Sequence, residues 1–251
     1  KDDEVALVYE DGKLKEIVPP GSRKAYWKVF ESIVIETINI GDSPELPKEL
    51  ARKLVNLELA KSSVRFYPLT ESDIGLLYVN GQYIKSFGQG LTAFWTFCEN
   101  VTVHLFDLRL QTAEMSGQEM LTQDKVTLRV NLSADYRITD AYKVFNQLTD
   151  YKDFIYKELQ FALRDSVGSR TLDQMLQEKD QIAQAVLAVT REKLAFFGIQ
   201  LDSVGVKDII LPGDMRTIMN QVVEAEKQAQ ANLIKRREET AATRALLNTA
   251  K

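Results

Sequence analysis

Hydrophobic and polar positions divide the 251-residue chain into a β-rich front, a helical middle and one very long terminal helix. Residues 126–137 alternate strictly: Val126, Leu128, Val130, Leu132, Ala134 and Tyr136 stand against Thr127, Arg129, Asn131, Ser133, Asp135 and Arg137. A period of two is that of a strand with one buried and one wet face. The period then changes. Tyr151, Phe154, Ile155, Leu159, Leu163 and Val167 recur at helical spacing and stop at Gly168. Thr171-Leu172-Asp173-Gln174 is a capping-box pattern, in which the Thr hydroxyl and the Gln side chain satisfy backbone donors at a helix start. Ile182, Val186, Val189 and Leu194 mark the inward face of a helix over 180–197, ended by Gly198 where left-handed backbone is needed. Ile199, Leu201, Val204, Val206 and Ile209 return the chain to a sheet. Strands, then helices, then a strand define an α+β domain.

The front of the chain is written twice. A shift of 69 residues lays Leu7 on Leu76, Tyr9 on Tyr78, Gly12 on Gly81 and Gly21 on Gly90; omitting Ser22 then lays Ala25 on Ala93, Trp27 on Trp95 and Glu31 on Glu99. The turn signals repeat with the identities. Asp11-Gly12 and Asn80-Gly81 are both two-residue hairpin pairs that tolerate the positive φ angles of a type I′ turn. Each copy, 4–40 and 73–108, therefore reads strand, tight turn, strand, glycine loop, aromatic cluster, strand. Between them Gly41-Asp42-Ser43-Pro44-Glu45-Leu46-Pro47 is a breaker-rich linker. Pro47 suits a first helical turn, and Leu50, Leu54 and Leu57 line one face of a short helix through about Ala60. Residues 120–125 predict a polar turn.

From Leu211-Pro212-Gly213-Asp214 onward no Gly or Pro interrupts residues 215–251, and Asp214 is the expected N-cap. A helix of that length spans roughly 55 Å at 1.5 Å per residue, more than a domain of this size covers, so it projects. Ile218, Val222, Ala225, Ala229 and Leu233 keep an apolar seam at alternating three and four spacing, flanked by Glu224, Glu226 and Lys227. Two readings stand: a coiled-coil seam for helix pairing, and a long solvated helix supported by charge pairs. The division expected is 1–66, a β-rich half-repeat with its linker helix; 67–212, the α+β domain; and 213–251, the long helix.

Composition narrows the function classes. With 45% hydrophobic and 27% charged residues the chain has ordinary globular usage. A net charge of −4 lacks the basic footprint of sequence-independent nucleic-acid binding. Cys98 is the only cysteine and His104 the only histidine, so neither an intrachain disulfide nor a cysteine-rich zinc site can be built. No apolar run reaches the ~20 residues of a membrane-spanning helix, and no signal peptide is present. The first residue is Lys1 and the last lies inside a helical pattern, which reads as a piece of a longer protein.

Two chemical patterns are weighed. Gly88-Gln89-Gly90-Leu91-Thr92-Ala93 matches a dinucleotide fingerprint, with Asp107 near the distance of a ribose-binding acid. That fingerprint works by opening a helix toward a pyrophosphate, and here Phe94-Trp95-Thr96-Phe97 leads into β-rich Val101-Thr102-Val103, so no cofactor is expected. Cys98 and His104 could pair as thiolate and imidazolium. Their alignment with Phe30 and Glu36 favours a packed thiol and an exposed edge residue instead. No catalytic or metal-binding residue is assigned.

The second copy, together with the remainder of the chain, resembles the stomatin, prohibitin and flotillin superfamily, the SPFH domain, and within it the bacterial slipins, which are stomatin-like proteins. The resemblance rests on Gly88-Gln89-Gly90-Leu91, Asp107-Leu108-Arg109, Leu121-Thr122-Gln123-Asp124-Lys125-Val126-Thr127-Leu128, Leu163-Arg164-Asp165-Ser166-Val167-Gly168, Thr171-Leu172-Asp173-Gln174-Met175-Leu176, Phe197-Gly198-Ile199, Val206-Lys207-Asp208-Ile209-Ile210-Leu211-Pro212 and Glu224-Ala225-Glu226. It covers residues 67–212 as the SPFH domain and continues into the long helix; the half-copy at the front is not a standard part of the family. The resemblance implies a non-catalytic membrane scaffold that forms homo-oligomers, contacts membrane lipids, organises membrane microdomains, and regulates membrane proteins or proteases in protein quality control, with an NfeD-type partner among the candidates. It also implies membrane association, at the bacterial inner membrane, through an anchor outside this sequence. The alternatives are a soluble substrate adaptor for a membrane protease and, more remotely, a nucleotide-binding enzyme.

Interaction residues are assigned in two sets. Oligomerisation is assigned to the seam Ile218, Val222, Ala225, Ala229 and Leu233. The aromatic clusters Tyr26-Trp27-Lys28-Val29-Phe30 and Phe94-Trp95-Thr96-Phe97 come after the glycine loop of each copy. Aromatic runs in β domains commonly fill a core. The family resemblance instead places this loop at the membrane, which assigns membrane contact to Phe94, Trp95, Phe97 and Trp27.

Overall fold

A computed structural model describes residues 3–27, 32–41, 43–98 and 100–249, with side chains through 242. Strands β1 (Glu4–Glu10), β2 (Lys13–Val18) and β3 (Ile33–Asn39) precede helix α1 (Lys48–Leu54) and a 3-10 turn at Glu58–Ala60. Next come β4 (Val64–Leu69), β5 (Asp73–Val79), β6 (Gln82–Phe87), β7 (Gly90–Trp95), β8 (Val101–Asp107), β9 (Gln111–Leu121) and β10 (Thr127–Ile138). Helices α2 (Ala141–Gln147), α3 (Tyr151–Gly168), α4 (Leu172–Gln177) and α5 (Lys179–Phe196) lead to β11 (Ile199–Ile210) and the long helix α6 (Gly213–Thr249). The α+β class predicted from the order of patterns is the observed one.

The repeat holds to the level of backbone register. Each copy is a three-stranded antiparallel sheet with its first strand in the middle, ordered β2-β1-β3 and β6-β5-β8. Ala6↔Val18 and Leu7↔Ile17 in the first correspond to Gly75↔Phe87 and Leu76↔Ser86 in the second, and the β-bulge falls at Val8/Tyr9 in one and Leu77/Tyr78 in the other. The turns explain why. Asp11 and Gly12 have φ of 48° and 77°, Asn80 and Gly81 of 52° and 78°, the left-handed pair that a type I′ turn demands. The closing hydrogen bonds match as well: Ile40 N–H donates to Asp3 O at 2.8 Å, as Leu108 N–H does to Ser72 O at 2.8 Å. Residues 28–31 and 99, part of the aligned stretch, lie outside the described residues.

The copies diverge in filling. Where the first pairs Ala6 with Val18, the second pairs Gly75 with Phe87, and a Cβ on Gly75 would meet the Phe87 ring at 2.5 Å. The missing methyl makes room for a ring that packs edge-on against Phe94 at 5.5 Å and Tyr67 at 6.3 Å.

The chain forms two compact units: residues 1–111, 136–151 and 194–200, and residues 112–135, 152–193 and 201–251. The boundary expected at 66 does not separate two cores. Val5, Leu7 and Ile17 of the front copy share one apolar cluster with Leu46, Ala51, Leu54 and Val64 and with Ala93 and Trp95 of the second copy. The linker helix stops at Leu54 and not near Ala60, because Leu57 is extended (φ −95°, ψ 120°) and restarts the chain as the 3-10 turn.

In the second unit, the period-two stretch is β10, with Leu128, Val130, Leu132 and Ala134 buried on one face. The polar turn is shorter than expected, since Met120 and Leu121 close β9 and only residues 122–125 turn. Helix α3 buries Ile155, Leu159, Leu163 and Val167 as the spacing predicts and ends at Gly168. The Thr171 capping box is present: Gln174 N–H donates to Thr171 Oγ1 at 3.4 Å and Thr171 N–H to Gln174 Oε1 at 3.0 Å. One inward position differs in α5. Val189 is exposed, and Thr190 takes its place at strict four-residue spacing from Val186, its hydroxyl donating to Val186 O at 2.6 Å and so entering the core satisfied. Helix α6 begins two residues early, with Asp214 inside the first turn and not at the cap.

Candidate functional site

The Thr122-Gln123-Asp124-Lys125-Val126 segment is a closed turn whose polar groups are spent on architecture. Thr122 is buried, and its hydroxyl accepts from Val126 N–H at 3.0 Å and donates to Asp124 at 2.5 Å. Asp124 also accepts from Leu172 N–H at 3.2 Å, which places its negative charge at the start of α4. The Thr122 hydroxyl, then the Leu172 N–H, hold the Asp124 carboxyl below the usual carboxylate range. Gln123 N–H donates to Arg170 O at 2.9 Å, and Arg170 in turn donates to Ser166 O at 2.8 Å. The turn therefore ties the β9–β10 connection to the α3–α4 junction. Thr122→Val is expected to lower stability by about 1–3 kcal/mol in urea unfolding, because it leaves the Val126 N–H without its partner; an unchanged midpoint would show that water replaces the hydroxyl.

The second-copy aromatics are not at the surface. Phe94 and Trp95 are each 1% exposed. Both lie in β7, opposite Arg65 and Val64 of β4. Phe94 packs against Tyr67 at 5.9 Å, and Trp95 stacks on half-buried Phe97 at 6.1 Å. Membrane contact through Phe94 and Trp95 is overturned: the run is apolar because both faces of β7 are covered, the ordinary reason for a strand without alternation. Phe97 packs against the same core. Trp27 alone of the four is open, at 86% exposure.

The residues with reactive side chains are placed for packing. Gly90 (φ 122°) opens strand β7 and not a helix, so the glycine pair lacks the geometry of a pyrophosphate cradle. Burial pushes the Cys98 thiol pKa up, the reverse of an activated thiolate. His104, expected as an exposed edge residue, is half-buried, its ring 4.0 Å from Phe145 of α2 and 5.7 Å from Tyr78. The cause is α2, which the apolar pattern did not reveal and whose Phe145 ring lies against both His104 of β8 and Tyr78 of β5. Arg109 grips Asp107 through two Nε contacts of 2.9 Å and holds its carboxyl low. Among the described residues, no group of three or more His, Cys, Asp and Glu side chains is placed to hold a metal ion.

Residues 69–240 match the family described as SPFH domain / Band 7. The chain belongs to the SPFH domain / Band 7 family. An uncharacterised protein of Archaeoglobus fulgidus is 32% identical over 174 residues, 69% of this chain and 68% of that protein. A stomatin homolog of Pyrococcus horikoshii is 28% identical over 163 residues, 65% of this chain and 60% of that protein. Stomatin-like protein 3 of Mus musculus is 30% identical over 149 residues, 59% of this chain and 52% of that protein. The matched segment thus spans between about half and two-thirds of these relatives.

The SPFH match takes in the second copy, parts of both units and most of α6, and leaves the front copy outside it. Along α6 the seam residues Ile218, Val222 and Leu233 are 51%, 47% and 54% exposed, and Ala225 and Ala229 are exposed beside them. Val223 and Ile234 add exposed apolar surface next to the seam. No described helix is long and apolar enough to cross a membrane.

Proposed function

We propose that this SPFH protein is a non-catalytic, membrane-associated scaffold that self-associates through α6 and there organises membrane microdomains or regulates membrane proteins, proteases among them. One observation carries the reading: a 37-residue helix with an uncovered apolar seam in a stomatin-like chain. An isolated helix gains its stability from packing of an apolar face, and a seam at three and four spacing packs best against another helix. The residues whose chemistry would suit catalysis or cofactor binding are engaged in packing and turn closure, which supports a role built on surfaces. An NfeD-type membrane partner or a protease client fits the scaffold reading. Sedimentation of the whole chain against a Val222→Asp, Leu233→Asp double variant tests it. The parent should sediment as an oligomer at micromolar concentration and the variant as a monomer, with helical dichroism reduced by no more than the share of α6. Equal sedimentation of the two would remove α6 as the assembly element.

A further inference from the structure

Helix α1 and the β6–β7 loop line a recess whose charge is opposite to that of the chain. Ala51 and Leu54 of α1 are each 1% exposed and seat the helix in the core beside Ala93 and Trp95. Lys48 and Arg52, four residues apart, therefore share one fixed, exposed flank of it. Together with Lys85 of the edge strand β6 and the loop Gly88-Gln89-Gly90 they line a volume of about 410 Å³, the size of a small-ligand site.

Acidic residues outnumber basic ones in this chain, 36 to 32. Cations elsewhere find carboxylates, as Lys15 does with Glu10, Lys157 with Asp153 and Lys193 with Glu158. In the recess, Glu45 is the one acid among the described lining residues, and Lys85 already holds it as an ion pair. Lys48 and Arg52 make no ion pair with any described residue.

The glycine loop adds an independent observation. Gly90 needs to be glycine for its φ of 122°. Gly88 does not have left-handed backbone, and a Cβ on it would come no nearer than 4.0 Å to Asp73 O. Neither strain nor crowding explains the bare main chain at 88. It lies on the recess, where a missing side chain lets a ligand come close to the backbone.

The geometry points to a site for a phosphate monoester, held between Lys48, Arg52 and Lys85 and bordered by the bare main chain at Gly88. The guanidinium fork of Arg52 suits two phosphate oxygens, and the lysines act as point charges. A monoester carries a charge of about −2 at neutral pH, which answers both unpaired cations. A singly charged diester would leave one of them over. The site is not the pyrophosphate cradle of a dinucleotide fold, since it draws on side-chain cations and on no helix start. A soluble phosphate ester and the headgroup of an anionic lipid can both present this group. The site stands whether or not α6 assembles the chain.

Calorimetric titration of the whole chain with glycerol 3-phosphate at low ionic strength tests it, and saturable one-to-one binding is expected. Lys48→Gln with Arg52→Gln should weaken binding about ten-fold or more. Gly88→Val, which alters no charge, should weaken it several-fold. Lys13→Gln with Lys179→Gln, a change at two exposed cations outside the recess, should leave affinity within about two-fold. Equal urea midpoints check that each variant is folded. Phosphatidylcholine vesicles containing phosphatidic acid, which carries the monoester, decide the source. Co-flotation that glycerol 3-phosphate competes away assigns a lipid headgroup, and calorimetric binding without co-flotation assigns a soluble ester. The site is overturned by any of four results: no saturable binding at millimolar glycerol 3-phosphate, parental affinity in either recess variant, equal losses in the recess and control variants, or succinate bound as tightly as the phosphate.

Discussion

Replacing Trp95 by alanine is expected to destabilise the first unit by about 3–5 kcal/mol, whereas Trp27→Ala should change stability by no more than about 0.5 kcal/mol. The two residues occupy the same place in the repeat, so the contrast measures surroundings and not residue type. Trp95 lies in the cluster that joins Leu7 and Val5 of the front copy to Leu54, Val64 and Ala93, and its removal opens a cavity that the rigid sheets around it cannot close. Trp27 loses no such contacts. Urea unfolding followed by far-ultraviolet dichroism reads both. The outcome also decides where the second aromatic cluster belongs: a Trp95→Ala variant with parental stability but weakened liposome binding would return that ring to the membrane surface.

How much of this was legible in the sequence depends on whether the signal was local. The duplicated hairpins were, because Asp11-Gly12 and Asn80-Gly81 force left-handed backbone and so fix the register of the strands on either side. The strand of residues 126–137 and the capping box at Thr171 were legible for the same reason, each being a pattern that a single element satisfies by itself. Strand β9 and helix α2 were not. Gly117, at a φ of 66°, interrupts the alternation of β9, and α2 is only seven residues long, too short for its period to stand out. The Phe94-Trp95 error has a different cause. Adjacent apolar residues point to opposite faces of a strand, and only the tertiary fold tells whether both faces are covered. Thr190 escaped because a hydroxyl that bonds back to its own helix is apolar in effect and polar in the sequence.

The candidate interaction surfaces divide along the same line. The α6 seam could be read from spacing alone, since nothing else in the chain has to be known for Ile218, Val222 and Leu233 to share a face. The contrast between exposed Trp27 and buried Trp95 could not. It became visible only when two copies of one pattern were found with different neighbours, because the segment itself looks like any Gly-led loop with an exposed aromatic.

Gly198→Ala is expected to cost about 2–5 kcal/mol, the sum of about 1–2 kcal/mol for placing a side chain in left-handed backbone and about 1–3 kcal/mol for overpacking. Gly198 has a φ of 81°, and a Cβ there would lie 2.7 Å from Asp140 O and 2.6 Å from Asp140 Cβ. Neither side can withdraw easily. The Gly198 carbonyl accepts from Thr139 N–H at 2.9 Å, Asp140 N–H at 3.1 Å and the Thr139 hydroxyl at 3.0 Å. Asp140 in turn caps α2, accepting from Lys143 N–H at 3.1 Å. A methyl at Gly198 would therefore push on the carbonyl cluster and on the start of α2 together, loosening the helix that covers His104 and Tyr78. Gly213→Ala is the control, since Gly213 opens α6 with nothing within 4 Å of an added Cβ; alanine there should leave stability unchanged or slightly raised. Equal urea midpoints for the two variants would show that the Phe197-Gly198-Ile199 turn yields to a side chain, and that the close approach of Asp140 is not what demands glycine.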